Sequence, residues 1–248
     1  MIGMAYAKLF DSSRCIGCKA CQAACKTWNQ DKLEKTRNRG SHENPPDLSA
    51  NTRTVMRFTE TEDPKAVGGI VWTYLKDSCR HCIDAPCKAM GDGFDEGAIL
   101  QTETGAVVYT DKTAVIEDLQ YACPYDVPRQ AAPGSPYVKC TLCIDRITNG
   151  LQPACVTTCP TDALVFGKRE EVLKIAKERL EKIKTKFPDA HLHPDYEDVS
   201  FIYLLHQKQE KFAERLVSAD HSQKKYASRR DVLNPKKAAK GLSKLFRT

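Results

Sequence analysis

The run Cys15-x2-Cys18-x2-Cys21-x3-Cys25 constrains this chain more than any other feature. Thiols at every third or fourth residue would be strained as disulfide pairs. A single loop with that spacing can instead wrap one face of an iron–sulfide cube and aim backbone N–H groups at its sulfurs. It is the ferredoxin spacing for a 4Fe-4S centre, in which three close thiolates hold one cluster and the fourth reaches another. The chain has 12 cysteines among 248 residues. Cys140-x2-Cys143, an eleven-residue insert, then Cys155-x3-Cys159-Pro160 is a stretched form of the same element. The third element, Cys79-x2-Cys82-x4-Cys87, lacks its fourth thiol. Cys123 supplies it, preceding Pro124 as Cys159 precedes Pro160.

The cysteines therefore divide into three sets of four. Cys15, Cys18, Cys21 and Cys159 form the first, Cys140, Cys143, Cys155 and Cys25 the second, and Cys79, Cys82, Cys87 and Cys123 the third. The first two sets exchange their fourth ligands, as in two-cluster ferredoxins. Six disulfides would need an oxidising compartment and suit small loop-rich domains. Zinc sites bring two C-x2-C pairs together and make poor use of three or four thiols in one run. Both readings are weaker than three iron–sulfur clusters.

Counting at ferredoxin spacing back from Cys123 and forward from Cys87 points to Thr113, Ile116, Leu119 and Gly91, none of them cysteine. All four positions of one conceptual cluster are replaced together, which predicts an apolar pocket filled by side chains such as Ile116 and Leu119.

Mean hydropathy is −0.49, and no apolar run approaches the ~20 residues that span a bilayer, so no transmembrane segment is expected. Gly and Pro, 13 each, exclude a collagen-like or low-complexity chain. The N-terminal residues lack a charged region followed by a long apolar run, so no signal peptide of its own is expected. The net charge of +6 is unevenly placed: residues 221–248 carry nine Lys/Arg against Asp231 and sum to +8, leaving −2 for the remainder. That basic arm suits an acidic partner subunit, nucleic acid or an anionic membrane, or is a solvated tail.

Short apolar strands are expected beside each cysteine element, at Tyr6–Phe10, Ile70–Lys76, Ala106–Thr110 and Ala163–Gly167, with helices after Cys21 and Cys143 and a further strand at Val199–Leu205. Apolar residues recur at helical spacing from Glu170 to Phe187, before Pro188. The expected fold is α+β. Two ferredoxin-like β-α-β cluster-binding units are nested, one inserted in the other, with a C-terminal helix and a basic extension. Residues 1–67 with 131–168 make the first unit, carrying two 4Fe-4S clusters and an irregular, partner-facing loop at 31–66. Residues 68–130 make the second, with one cluster. Residues 169–220 supply a helix and strand packing on the body, and 221–248 the arm. Lys26, Arg80, Lys88 and Lys139 adjoin ligands and are candidates for raising cluster potentials. His81, between two ligands, reads as structural, and Trp28 and Trp72 as packing residues.

Four segments carry a family likeness: Thr36-Arg-Asn-Arg-Gly-Ser-His-Glu-Asn-Pro-Pro-Asp47, Cys79-Arg-His-Cys-Ile-Asp-Ala-Pro-Cys-Lys88, Ala122-Cys-Pro-Tyr-Asp-Val-Pro-Arg129, and Lys139-Cys-Thr-Leu-Cys-Ile-Asp-Arg-Ile-Thr-Asn-Gly-Leu-Gln-Pro-Ala-Cys-Val-Thr-Thr-Cys-Pro160. Over about residues 1–205 the chain resembles the iron–sulfur subunits of the molybdopterin (dimethyl sulfoxide reductase) superfamily, and among them the small subunit of soluble tungsten or molybdenum formate dehydrogenases. The resemblance implies an electron-transfer subunit that is non-catalytic itself, the active site lying on a partner chain. That catalytic subunit would hold tungsten or molybdenum on a bis-pyranopterin, with a further 4Fe-4S cluster, and interconvert formate and CO2. Three 4Fe-4S clusters here would relay electrons to an acceptor such as a c-type cytochrome, a ferredoxin or a flavin-bearing subunit. The alternative is the equivalent subunit of a nitrate, sulfur-compound or arsenic reductase. No nucleic acid partner is implied. The family likeness points to a periplasmic location by co-export with the catalytic subunit, with the cytoplasm as the alternative.

Overall fold

The computed structural model describes residues 5–212, so the basic arm at 221–248 lies outside the described residues. In chain order the elements are β1 (Tyr6–Asp11), α1 (Ala20–Trp28), β2 (Val55–Glu62), β3 (Ile70–Asp77), α2 (Pro86–Phe94), β4 (Ile99–Gln101), β5 (Val107–Tyr109), α3 (Ile144–Ile147), α4 (Ala154–Thr157), β6 (Leu164–Lys168), α5 (Arg169–Lys184), β7 (His191–Leu192) and β8 (Phe201–Leu205). Among the described residues no helix is long and apolar enough to cross a membrane.

The main sheet has the order β6-β1-β8-β7. β1 runs antiparallel to β6, with Phe10 opposite Leu164, and parallel to β8, with Lys8 opposite Phe201. Strand alternation splits β1 and β8 between two faces. Ala7, Leu9, Ile202 and Leu204 meet Val172 and Ala176 of α5. Phe10, Phe201 and Tyr203 face the other way, into a core shared with Cys21, Cys155, Met56 and Leu75. The amphipathic stripe expected from Glu170 onward thus covers the sheet, and burying Val172 contributes about 1.5–3 kcal/mol. Glu170 and Glu171 in its first turn and Lys182 and Lys184 in its last complement the helix dipole.

One expectation needs correction. Residues 31–66 are not irregular throughout, because Val55–Glu62 is a strand paired with β3 along its whole length, Val55 opposite Asp77 and Glu62 opposite Ile70. Its Val-Met-Arg-Phe-Thr sequence has strand character that the surrounding polar residues obscure. The turn of this hairpin lies between Glu62 and Ile70. The strand at 107–109 pairs antiparallel with Ile99–Gln101. The strand at 201–205 lies within the main sheet, between β1 and β7.

Gly91, Thr113, Ile116 and Leu119 do converge. Ile116 and Leu119 are buried in one apolar core with Ala85, Cys87, Ala98, Ile99, Val107 and Tyr137. Ile99 fills the space beside Gly91, where an added Cβ would come within 3.0 Å of it. Thr113 is buried, and its hydroxyl accepts the Tyr137 N–H at 3.0 Å and donates to the Thr110 carbonyl at 2.8 Å.

Candidate metal-cluster sites

The three C-x2-C turns have the same local geometry. The N–H of Gly17 donates to Cys15 Sγ at 3.5 Å, that of His81 to Cys79 Sγ at 3.3 Å, and that of Leu142 to Cys140 Sγ at 3.4 Å. Each donor stands two residues after its cysteine and has a positive φ: 67° at Gly17, 51° at His81 and 59° at Leu142. Only glycine adopts that conformation without steric cost. At the other two positions the neighbours hold it. The Val107 N–H donates to His81 Nδ1 at 3.1 Å, leaving the imidazole proton on Nε2, and Leu142 is packed in a small core with Ala106 and Ile147. His81 is thus a structural residue.

The turns bring distant cysteines together. Cys15, Cys18, Cys21 and Cys159 line one cavity, with Phe10, Met56 and Leu164 beneath them. Cys79, Cys82, Cys87 and Cys123 line a second, with Val107, Tyr109 and Tyr125. Different elements build the two cavities. Cys25 on α1 is buried among Cys140, Cys155 and Cys143, whose charges add to the effect of burial in raising its pKa. The contact of α1 with α4 brings these groups together. The segment after α5 supports the Cys79–Cys82 turn: Ser200 N–H donates to the His81 carbonyl and Phe201 N–H to the Arg80 carbonyl, both at 2.9 Å, and Ile83 N–H donates to the Asp198 carbonyl at 2.8 Å.

This donor set suits an iron–sulfide cube. All twelve cysteines are unbridged. Burial pushes the thiols of Cys15 and Cys143 up to about 11 and those of Cys21 and Cys123 up to about 12. Thiolates at such positions need nearby positive charge, which bound iron supplies. Among the described residues no three Cys, His, Asp or Glu side chains converge as a single metal ion requires. The thiols rim cavities instead, and amides point at their sulfurs.

Comparison with known proteins agrees. A 4Fe-4S dicluster domain model matches residues 70–169 and a 4Fe-4S binding domain model residues 6–27. The chain is 42% identical over 217 residues to formate dehydrogenase 2 subunit beta (cytochrome c-553) of Nitratidesulfovibrio vulgaris, covering 85% of this chain and 98% of that one. It is 47% identical over 198 residues to the formate dehydrogenase subunit beta of Megalodesulfovibrio gigas, covering 78% and 90%. The chain belongs to the formate dehydrogenase beta (iron–sulfur) subunit family. With the nitrate-inducible formate dehydrogenase iron–sulfur subunit of Escherichia coli it shares 44% identity over 182 residues, 73% of this chain and 60% of that one. An electron-transfer role within an oxidoreductase complex follows from this membership.

In this formate dehydrogenase beta-type subunit, three of the four charged residues singled out beside cysteines are engaged by carboxylates. Lys26 donates to the Asn51 carbonyl at 2.6 Å and lies 3.6 Å from Glu34. Lys88 pairs with Asp92 at 2.7 Å, and Arg80 with Asp195 at 3.1 Å. Lys139 is buried and bonds the Val107 and Cys140 carbonyls. Trp28 packs between α1 and α3, donating to Asp145 at 2.7 Å under the Arg146 guanidinium. Trp72 belongs to an aromatic group with His42, Phe58 and Tyr74.

Sequence reasoning missed Lys8 and Lys76. Both are fully buried, with their Nζ atoms 3.8 and 5.4 Å from the centre of the Phe201 ring. A lysine amid apolar neighbours in Tyr6–Asp11 was the available signal, and it becomes informative only once strands flank β1 on both sides.

Proposed function

We propose that this chain is the non-catalytic conduit of a formate dehydrogenase, holding three 4Fe-4S clusters. Cys15, Cys18, Cys21 and Cys159 would hold the first, Cys140, Cys143, Cys155 and Cys25 the second, and Cys79, Cys82, Cys87 and Cys123 the third. The observation that carries the reading is the N–H to Sγ contact repeated at all three C-x2-C turns beside grouped thiols. Hydrogen bonds to sulfur, burial and nearby charge are what a protein uses to set cluster potentials. When bound, the clusters supply one-electron acceptance and release.

In the same reading, two ferredoxin-like units are nested. Residues 1–67 with 131–168 hold the first two clusters, and 68–130 hold the third. The shared cavity of Cys15 and Cys159 supports the interlocking of the N-terminal loop with residues 140–160. The catalytic partner carries tungsten or molybdenum on a bis-pyranopterin with its own 4Fe-4S cluster. The relative whose name includes cytochrome c-553 supports a c-type cytochrome as acceptor, and a periplasmic location fits such a partner.

The test is iron and acid-labile sulfide in the co-purified complex. About twelve irons on this subunit are expected; four or fewer would overturn the reading. Formate should reduce the clusters and, through them, a c-type cytochrome. Reoxidation of the reduced clusters by nitrate, an oxidised sulfur compound or arsenate, with no reduction by formate, would reassign the complex.

A further inference from the structure

We propose that a lysine-rich c-type cytochrome docks on the face around Phe94, Val115 and Tyr121 and takes electrons there from the third cysteine set, its lysines meeting the exposed carboxylates that surround those residues. The inference rests on the conduit reading above. Each encounter passes one electron outward: a reduced centre on the third set is oxidised, the haem is reduced, and no bond forms or breaks.

Helix α2 leads from the third cavity to this face. Cys87, Met90, Gly91 and Phe94 follow one another at helical spacing. Cys87 and Gly91 are buried and Met90 packs on the same core, yet Phe94 is 56% exposed. The apolar stripe therefore runs out of the core into solvent. The helical rise puts Phe94 about 10 Å along the axis from Cys87. The turn at Asp111–Val115 lies beside the end of α2, because Lys112 Nζ donates to the Asp95 carboxylate at 2.7 Å and to the Glu96 carbonyl at 3.1 Å. Val115 in that turn is 70% exposed, although Ile116 next to it is buried. Tyr121, two residues before Cys123, is 67% exposed. Pro86 and Pro124 line the cavity of the third set and are themselves exposed, so little of the chain separates that set from solvent here. A singly exposed apolar side chain is ordinary, but several on one lobe with a charged rim mark an interaction surface.

The charge of that rim identifies the occupant. Residues 84–118 carry eight Asp and Glu against Lys88 and Lys112, a sum of −6. Both lysines are already engaged within the lobe, by Asp92 and Asp95 at 2.7 Å. Glu96, Asp111, Glu117 and Asp118 are exposed and form no ion pair among the described residues. The first cysteine set has the other sign around it: residues 12–42 carry seven Lys and Arg against Asp31 and Glu34, a sum of +5. A carrier with lysines around its exposed haem edge is drawn to the third set and repelled from the first. Such steering speeds encounter and is screened by salt. The few apolar contacts at Phe94, Val115 and Tyr121 suit the small interface of a redox encounter, which must also dissociate.

The test uses the co-purified complex, mitochondrial cytochrome c as the basic carrier and a viologen dye as a small acceptor. Glu96→Lys with Glu117→Lys should slow cytochrome reduction in stopped flow by about tenfold at about 0.01 M salt, and the difference should close near 1 M. Binding of the oxidised cytochrome, read by calorimetry at the lower salt, should weaken in parallel. Phe94→Ser should slow the reaction at both salt concentrations. Formate-driven viologen reduction, iron content and retention of the catalytic subunit should stay as in the unaltered complex. The same charge change on α5, Glu178→Lys with Glu181→Lys, should slow the cytochrome far less. An equal fall in that control, or no fall in the first pair, would overturn the inference. So would loss of the catalytic subunit or of the viologen rate, which would make this face the seat of that subunit. Faster cytochrome reduction in the first pair, as release of the chain's own basic arm from this face would give, would overturn it too, as would failure of the unaltered complex to reduce the cytochrome while it reduces the dye. Clusters that formate leaves oxidised in the unaltered complex would instead refute the conduit reading.

Discussion

The guanidinium of Arg80, set between Cys79 and Cys82, lies 3.1 Å from the carboxylate of Asp195 across 115 residues of sequence. It also lies over the rings of Tyr203 and Tyr125, at 3.9 and 4.7 Å. Asp195 accepts from Tyr125 Oη at 2.8 Å and is 2.5 Å from His193 Nδ1. One carboxylate thus ties the segment before β8 to two sides of the third cysteine set.

This tie makes that site sensitive to acid. Burial raises the Asp195 pKa, but the hydrogen bond from His193, the Arg80 charge and the Tyr125 hydroxyl outweigh burial and leave it depressed. A depressed carboxylate stabilises the fold above its unfolded value, about 3.9, and that contribution disappears as pH falls through the lower folded value. Asp195→Asn should therefore release iron faster than wild type at neutral pH, and the difference should close below about pH 4. A difference that widens on acidification would contradict this assignment.

Gly17→Ala should weaken the first cysteine set. The added Cβ would come within 2.7–2.9 Å of the rings of Tyr74 and Phe58, at a φ of +67°. The left-handed conformation alone costs about 1–3 kcal/mol for a residue with a side chain. The variant should lose thermal stability and about four irons, while Gly68→Ala, with nothing within 4 Å, should keep all its iron and serve as the control for φ alone.

Cys159→Ser should remove the cluster whose cavity it shares with Cys15, Cys18 and Cys21. Iron should fall by about four per chain, and limited proteolysis should open both the loop at 15–25 and the segment at 155–160. Loss confined to the Cys79, Cys82 and Cys87 cluster would refute the pairing.

Leu119→Ala tests the apolar core that stands where a further cluster would sit by spacing. Leu119 is fully buried with Ile99 and Ile116, in the same core as Cys87. Truncation should cost about 2–5 kcal/mol, and Leu119→Met, close in volume, less than about 1.5 kcal/mol. Denaturant melts of the two variants make the comparison.

The three C-x2-C turns were legible in the spacing, because each is local: the segment places its own amide two residues on against its own sulfur. The strands at 6–11, 70–77 and 164–168 and the helix at 169–184 were equally legible, since their apolar periodicity lies within the segment. Spacing from Cys87 and Cys123 also foretold that Ile116 and Leu119 would fill one pocket. Pairing was not legible. Nothing local in Val55–Glu62 names β3 as its partner, and nothing in Phe201–Leu205 says that it lies parallel to β1. That second pairing has an electrostatic consequence, because it sets Phe201 of β8 beside Lys8 on the sheet face away from α5, where the lysine side chain is buried. The sequence determined where sulfur ligands gather; tertiary packing decided which charges are buried beside them, since burial depends on what covers a residue from far along the chain.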